Sequence, residues 1–264
     1  MQKIKTIVLK EWAEVFKNRL VLFTVAFMPL ILTALPIITL VATGGLGGEM
    51  SASGSGTPPD EFFGELCTGL SEMDCVQVYT LNLFALMFML LPVVIPVTIA
   101  AYSIVGEKMS RSLEPLLATP ITTLELLAGK GVAAFVPAVI ATWLSFGLYV
   151  LSARLVVSDQ VFRHLLDPMW LIAIFLVGPL LTIAAVSTAI IISSRVTDPR
   201  IAEQLSSVVV VPIIMLMLGQ SVGYILLDRQ MILILGGVTA VIDVILLYVS
   251  VHLFQRDTIL TKWK

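Results

Sequence analysis

The sequence predicts an all-α polytopic membrane protein: six transmembrane helices, both termini cytoplasmic, and an amphipathic interface helix ahead of the first span. Three observations carry this. The 264 residues are 58% hydrophobic and only 13% charged, whereas soluble globular domains carry about 25% charged residues. A membrane-spanning helix needs roughly 20 consecutive apolar residues, and six stretches meet that length: Leu20–Thr43, Thr80–Ile104, Gly131–Leu151, Met169–Ile192, Leu205–Leu227 and Met231–Phe254. The basic residues also sort to one side. With the N-terminus inside, the inner segments hold Lys3, Lys5, Lys10, Lys17, Arg19, Lys108, Arg111, Lys130, Arg195, Arg200, Arg256, Lys262 and Lys264. Only Arg154, Arg163 and Arg229 fall outside, as expected where Lys and Arg mark cytoplasmic loops. The net charge of −2 hides this asymmetry.

The chain reads as one transmembrane domain, 1–264. Residues 1–19 precede the first span, with Ile4, Val8, Trp12, Val15 and Phe16 at helical spacing and Lys3, Lys10, Glu14 and Lys17 on other faces. A basic amphipathic helix of this kind lies in the membrane interface with its apolar face in the lipid boundary. The apolar run that follows is too long for the core of a cleavable signal peptide, about 7–15 residues, so a retained first span is expected.

Residues 44–79 form the longest outside segment. "GGLGGEMSASGSGTPPDE" is a Gly-, Ser- and Pro-rich loop. The segment carries Glu49, Asp60, Glu61, Glu65, Glu72 and Asp74 with no basic residue, and it holds both cysteines, Cys67 and Cys75. An oxidising outside location makes these a disulfide candidate; two free thiols are the alternative. The later connections are short: Val156–Pro168 outside, Ser193–Gln204 inside, an outside turn at Asp228–Gln230, and a basic inside tail, 255–264.

The cytoplasmic segment 105–130 is the most charged part of the chain. Met109, Leu113, Leu116 and Leu117 form one stripe of a short helix, with Glu107, Lys108, Arg111 and Glu114 around it. Pro115 suits a first helical turn and Pro120 ends the helix. Thr122 and Glu125 then have capping-box spacing, starting a second helix that leads into the third span. Physical chemistry alone leaves two readings: an elbow resting on headgroups, or a lever that docks into another protein.

These residues resemble the signature of ABC-2 type transporter permeases. The resemblance lies in Glu107 after the second span, "SLEPLLATP" from Ser112 to Pro120, and "LELLAGK" from Leu124 to Lys130. It extends to "KEW" at Lys10, Glu11 and Trp12 in the N-terminal helix, to the six spans, and to the tail "FQRDTILTKWK". It implies the ABC-2 (type V exporter) fold and an ATP-binding cassette exporter working by alternating access. In that family the segment between spans two and three is a coupling helix seated on a cytoplasmic ATPase. Carried over, the ATPase-coupling interface is Glu107, Arg111, Ser112, Leu113, Glu114, Leu116 and Leu117, with Lys10, Glu11 and Trp12 on a flanking interface helix.

The resemblance also implies partners: two ABC ATPase subunits per complex, a second permease copy or a related one, and the lipid bilayer of a prokaryotic plasma membrane, with no nucleic acid. ATP and Mg²⁺ would belong to the ATPase, and this chain would bind no cofactor or metal and be no enzyme by itself. The residues agree. A P-loop needs G-x-x-x-x-G-K-[ST] to cradle phosphates, but Leu124 stands where the first Gly should be and Gly131 follows Gly129-Lys130.

For a translocation path the candidates are Asn82, Pro92, Pro96, Gln220 and Asp243, polar or helix-disturbing residues within the spans. Asp243, the acid at mid-depth of the sixth span, reads either as a cation-handling group or as a hydrogen-bonding partner of a neighbouring span. Pro92 and Pro96 read as a hinge or as static packing, and Pro137, Pro179 and Pro212 repeat the feature. A membrane-embedded enzyme would need clustered ionisable or metal-binding groups at one depth, and a secondary transporter often shows internal repeats; neither pattern is present. The cargo stays open between Na⁺ and a drug, lipid or other hydrophobic compound.

Overall fold

The computed structural model describes residues 2–15, 17–45, 71–109, 122–222, 224 and 227–253. Among these, six helices are long and apolar enough to cross a membrane, within Val21–Val41, Asp74–Met109, Leu124–Val156, Asp159–Ser193, Pro199–Ser221 and Arg229–Leu253. They are called spans one to six. An N-terminal helix, Gln2–Val15, precedes them.

Span two is the hub. It packs against spans three, four and five, span one lies against span three, and span six lies on span four. In its most apolar stretch 72% of residues are buried, against 17% in span five and 22% in span six. Spans one, five and six therefore turn broad faces of Leu, Ile, Val and Phe outward, the pattern of helices bathed in lipid or covered by another subunit.

Prolines shape the bundle in two ways. Span two breaks into a 3-10 turn at Phe88–Leu90 before Pro92. Span four takes a π-turn at Ala173–Val177 before Pro179, and span five a 3-10 turn at Ser207–Val210 before Pro212. In all three, proline is the second residue of the helix that resumes. It has no N–H to give the preceding turn and its ring crowds that turn's carbonyl, so the hydrogen-bond register shifts locally. Pro29, Pro36, Pro96 and Pro137 sit within α-helix. Pro92 therefore marks an interruption of span two, and Pro96 does not.

The connections are more helical than their composition predicts. The stretch 156–168 contains a short helix, Asp159–Leu165, capped by the Ser158 hydroxyl. The helix leading into span five already starts at Pro199, with the Asp198 carboxylate accepting from the Arg200 N–H at 2.8 Å. At the start of span three the capping box forms as the spacing predicts. The Glu125 N–H donates to Thr122 Oγ1 at 3.2 Å and the Thr122 N–H to Glu125 Oε2 at 2.9 Å.

Candidate functional site

Lys10, Lys108, Lys130, Arg195 and Arg200 all lie at one end of the bundle, where span two ends and span three begins; it is called the basic end here. Its centre is a buried charge network. Lys130, on the first turns of span three, is 4% exposed, and Glu11 and Glu107 are 2% and 3% exposed. Lys130 Nζ lies 2.7 Å from Glu11 Oε1 and 2.8 Å from Glu107 Oε2. It also donates to the Ser103 hydroxyl at 2.9 Å, and that hydroxyl donates to Glu11 Oε2 at 2.5 Å. Lys10 Nζ closes the other side of Glu107, 2.8 Å from Oε1. Two carboxylates and two ammoniums thus balance in charge, the condition under which buried ions are tolerated.

Sequence spacing explains how the network forms. Lys10 and Glu11 come from the N-terminal helix, Ser103 and Glu107 stand one turn apart on span two, and Lys130 comes from span three. The N-terminal helix can approach because Gly129 has no side chain: a Cβ there would lie 2.6 Å from Ile7 Cγ2. Gly129-Lys130 is therefore a docking pair, the glycine admitting the helix and the lysine holding its glutamate. Trp12 adds a third tie, its indole N–H donating to the Ala133 carbonyl at 3.0 Å.

Electrostatics at the network's edge are consistent with this. Burial alone would lower the Lys10 ammonium's pKa, but the hydrogen bond and charge of Glu107, helped by Glu14 and Glu11, outweigh it and hold it above its ordinary 10.5.

Two further polar ties pin the same end. Lys108 Nζ donates to the carbonyls of Ser193, Ser194 and Val196 at 2.8, 2.7 and 3.1 Å. It thus caps the C-terminus of span four, where free carbonyls and the helix dipole favour a cation. Thr98 Oγ1 of span two donates to Glu203 Oε1 of span five at 2.6 Å. Sequence reading missed Glu203 because it lay in a stretch taken as an inside loop. Its i+3 and i−1 neighbours, Ser206 and Ala202, are buried.

The candidate residues fall into three groups. Lys10, Glu11, Trp12 and Glu107 come together, but facing inward. Glu11 and Glu107 are buried, and their ion pairs hold the N-terminal helix to spans two and three. The buried face of that helix, Ile7, Val8, Glu11 and Val15, rests mainly on span three; the expected lipid-facing stripe is corrected accordingly. Arg111, Ser112, Leu113, Glu114, Leu116 and Leu117 lie outside the described residues.

The path candidates are dispersed. Asn82 accepts from the Trp170 indole at 2.8 Å and joins spans two and four. Pro92 and Pro96 are buried in span two. Gln220 is buried near the far end of span five, where the Ser221 carbonyl accepts from the Tyr79 hydroxyl at 3.3 Å. Asp243 is buried on span six. Cys75 is disulfide-bonded at the start of span two, and Cys67 lies outside the described residues.

In comparison with known families, the model described as ABC-2 family transporter protein matches residues 5–255. No curated protein matches the chain.

Proposed function

The chain belongs to the ABC-2 transporter family, and from that premise we propose that it is the permease subunit of an ATP-driven exporter whose ATPase is a separate chain. It is a multi-pass membrane protein and, like its family, not an enzyme by itself. The family resemblance implies a prokaryotic plasma membrane, and the positive-inside rule puts the basic end in the cytoplasm. There the segment between spans two and three meets the ATPase, with Arg111, Ser112, Leu113, Glu114, Leu116 and Leu117 as the contact residues. ATP and Mg²⁺ belong to that partner. A second permease copy, or a relative, and lipid cover the apolar faces of spans one, five and six.

The observation that carries this reading is the buried network. Glu107 lies just before the segment and Lys130 just after it; Lys130 pairs with both Glu107 and Glu11, and Ser103 bonds to Lys130 and Glu11. A displacement of the segment is therefore delivered at once to span two, span three and the N-terminal helix. Buried, mutually satisfied ions make a stiff joint, because separating any one leaves a charge without solvent or partner. Lys108 extends the joint to span four and Thr98–Glu203 extends it to span five. Substrate would move by alternating access of these spans; Na⁺ and hydrophobic compounds are the cargo classes to assay.

The test is capture of the partner. Tagged permease drawn from native membranes is expected to bring down an ATP-binding cassette ATPase, and the double substitution Leu113→Asp with Leu117→Asp is expected to abolish that capture while the permease stays folded. Full ATPase retention by the double variant refutes docking at this segment.

A further inference from the structure

Span six packs mainly on span four, and its buried residues form a single stripe: Ile232, Gly236, Thr239, Asp243 and Ser250. The spacing is helical and the residues are mostly small or polar. Asp243 lies near the middle of the span. It is 4% exposed, and among the described residues neither of its carboxyl oxygens meets a hydrogen-bond donor.

Among the described residues, the neighbouring elements supply no counter-charge. Span four carries no titratable side chain from Pro168 to Ser193. On span three, Glu125 and Lys130 lie at the basic end, and Tyr149 and Arg154 toward the other. On span six itself, Arg229 is at the far end, and Tyr248 and His252 are exposed toward the basic end. On span six, the neighbouring buried hydroxyls are spent within the helix: Thr239 donates to the Leu235 carbonyl at 2.7 Å and Ser250 to that of Leu247 at 2.9 Å.

An ionised carboxylate here would lack water, a donor and a cation together, the costliest state for a buried charge. Metal ions such as Ca²⁺ and Mg²⁺ require about six oxygens, and the described residues contain no group of three or more His, Cys, Asp or Glu that could hold one. A proton is the cation that one carboxyl holds unaided. We propose that Asp243 is an intramembrane proton site, protonated while spans four and six are packed and releasing its proton to water when the seam between them opens. In that step the carboxyl O–H bond breaks and water takes the proton; the hydrated carboxylate takes a proton back from water before the seam recloses.

The seam carries a local irregularity of span four. Span four faces it with the π-turn Ala173–Val177, a type of interruption often found at functional sites. Gly236 sits against Val177, where a Cβ would come within 3.2 Å of the valine Cγ2. No hydrogen bond crosses at Asp243 among the described residues. This inference does not rest on the docking of an ATPase, and its readouts need no partner.

The permease in liposomes is treated with dicyclohexylcarbodiimide, an apolar reagent that modifies protonated carboxyls, and the label is located by peptide mass spectrometry. Label at Asp243 is expected at neutral pH, declining as pH rises and absent in Asp243→Asn. Infrared difference spectra between acid and alkaline pH are expected to contain a carboxyl C=O band that Asp243→Asn removes, so poor reagent access alone cannot hide the site. Loss of both signals in the folded wild-type protein overturns the proposal, as does a band unchanged by alkali. Suppression of the label by Na⁺ at constant pH also overturns it, in favour of a metal-cation site.

Discussion

At the basic end, Glu11 and Glu107 are buried against Lys130 and Lys10, whereas Asp243, covered to a similar degree, meets no donor among the described residues. The difference teaches what each is suited to do. In the network every carboxylate has its charge matched and its geometry fixed by three separate helices, so ionisation and docking support each other. Asp243 has a single helix behind it and an uncharged seam in front of it. The first arrangement resists change; the second invites it when water arrives.

The comparison is sharpest under substitution. Lys130→Met removes the ammonium shared by Glu11 and Glu107 and leaves both acids buried without it. Breaking a buried pair in this way costs about 3–5 kcal/mol. The expected result is a large drop in thermal stability in detergent, with the N-terminal helix released to protease. Asp243→Asn, read in the same assay, removes no pairing and is expected to shift stability by under ~1 kcal/mol. Equal losses in the two variants would erase the distinction between them.

A second substitution attacks the approach and leaves the charges in place. Gly129→Val puts a branched side chain where even a Cβ would sit 2.6 Å from Ile7 Cγ2. Ile7 belongs to a helix held at three further points, so it cannot simply swing away. Overpacking of this kind costs about 1–3 kcal/mol. The expected outcome is a loss smaller than that of Lys130→Met, with the N-terminal helix displaced from span three; cross-linking between cysteines placed on the two elements measures it. Unchanged cross-linking would mean that Gly129 does not set the approach.

Much of this was legible in the residues. Apolar run length gave all six spans, because crossing a bilayer imposes a length that composition displays directly. Thr122 and Glu125 announced their capping box for a similar reason: the interaction is local, closing over three residues. The network was not legible, because its members are separated by most of the first half of the chain and only tertiary packing joins Glu11 to Lys130. "KEW" and "GK" were recognisable as motifs, yet their contact with each other was not. Glu11 was also disguised by its helix, since a charged residue on an amphipathic stripe normally points to solvent. The proline interruptions were half legible. Sequence marks where a backbone donor is missing, but whether the helix yields, as before Pro92, or continues, as through Pro96, depends on the neighbouring turns.

The smallest expected effect concerns pH at the edge of the network. Lys10 is held above the ordinary lysine value of 10.5, burial working against the shift and Glu107 overcoming it. A group whose folded pKa is raised stabilises the folded state fully below its unfolded pKa and loses that contribution as pH rises through the folded value. On the Lys10 side, the Lys10–Glu107 tie is therefore constant across the neutral range and weakens in strong alkali. Spin labels on the N-terminal helix and span three should report one unchanging distance from mildly acid to mildly alkaline pH, in wild type and in Asp243→Asn alike. Titration at Asp243 should proceed over pH values at which the basic end does not move. A distance that tracked the Asp243 label would join the two regions into one pH-dependent unit and refute their independence.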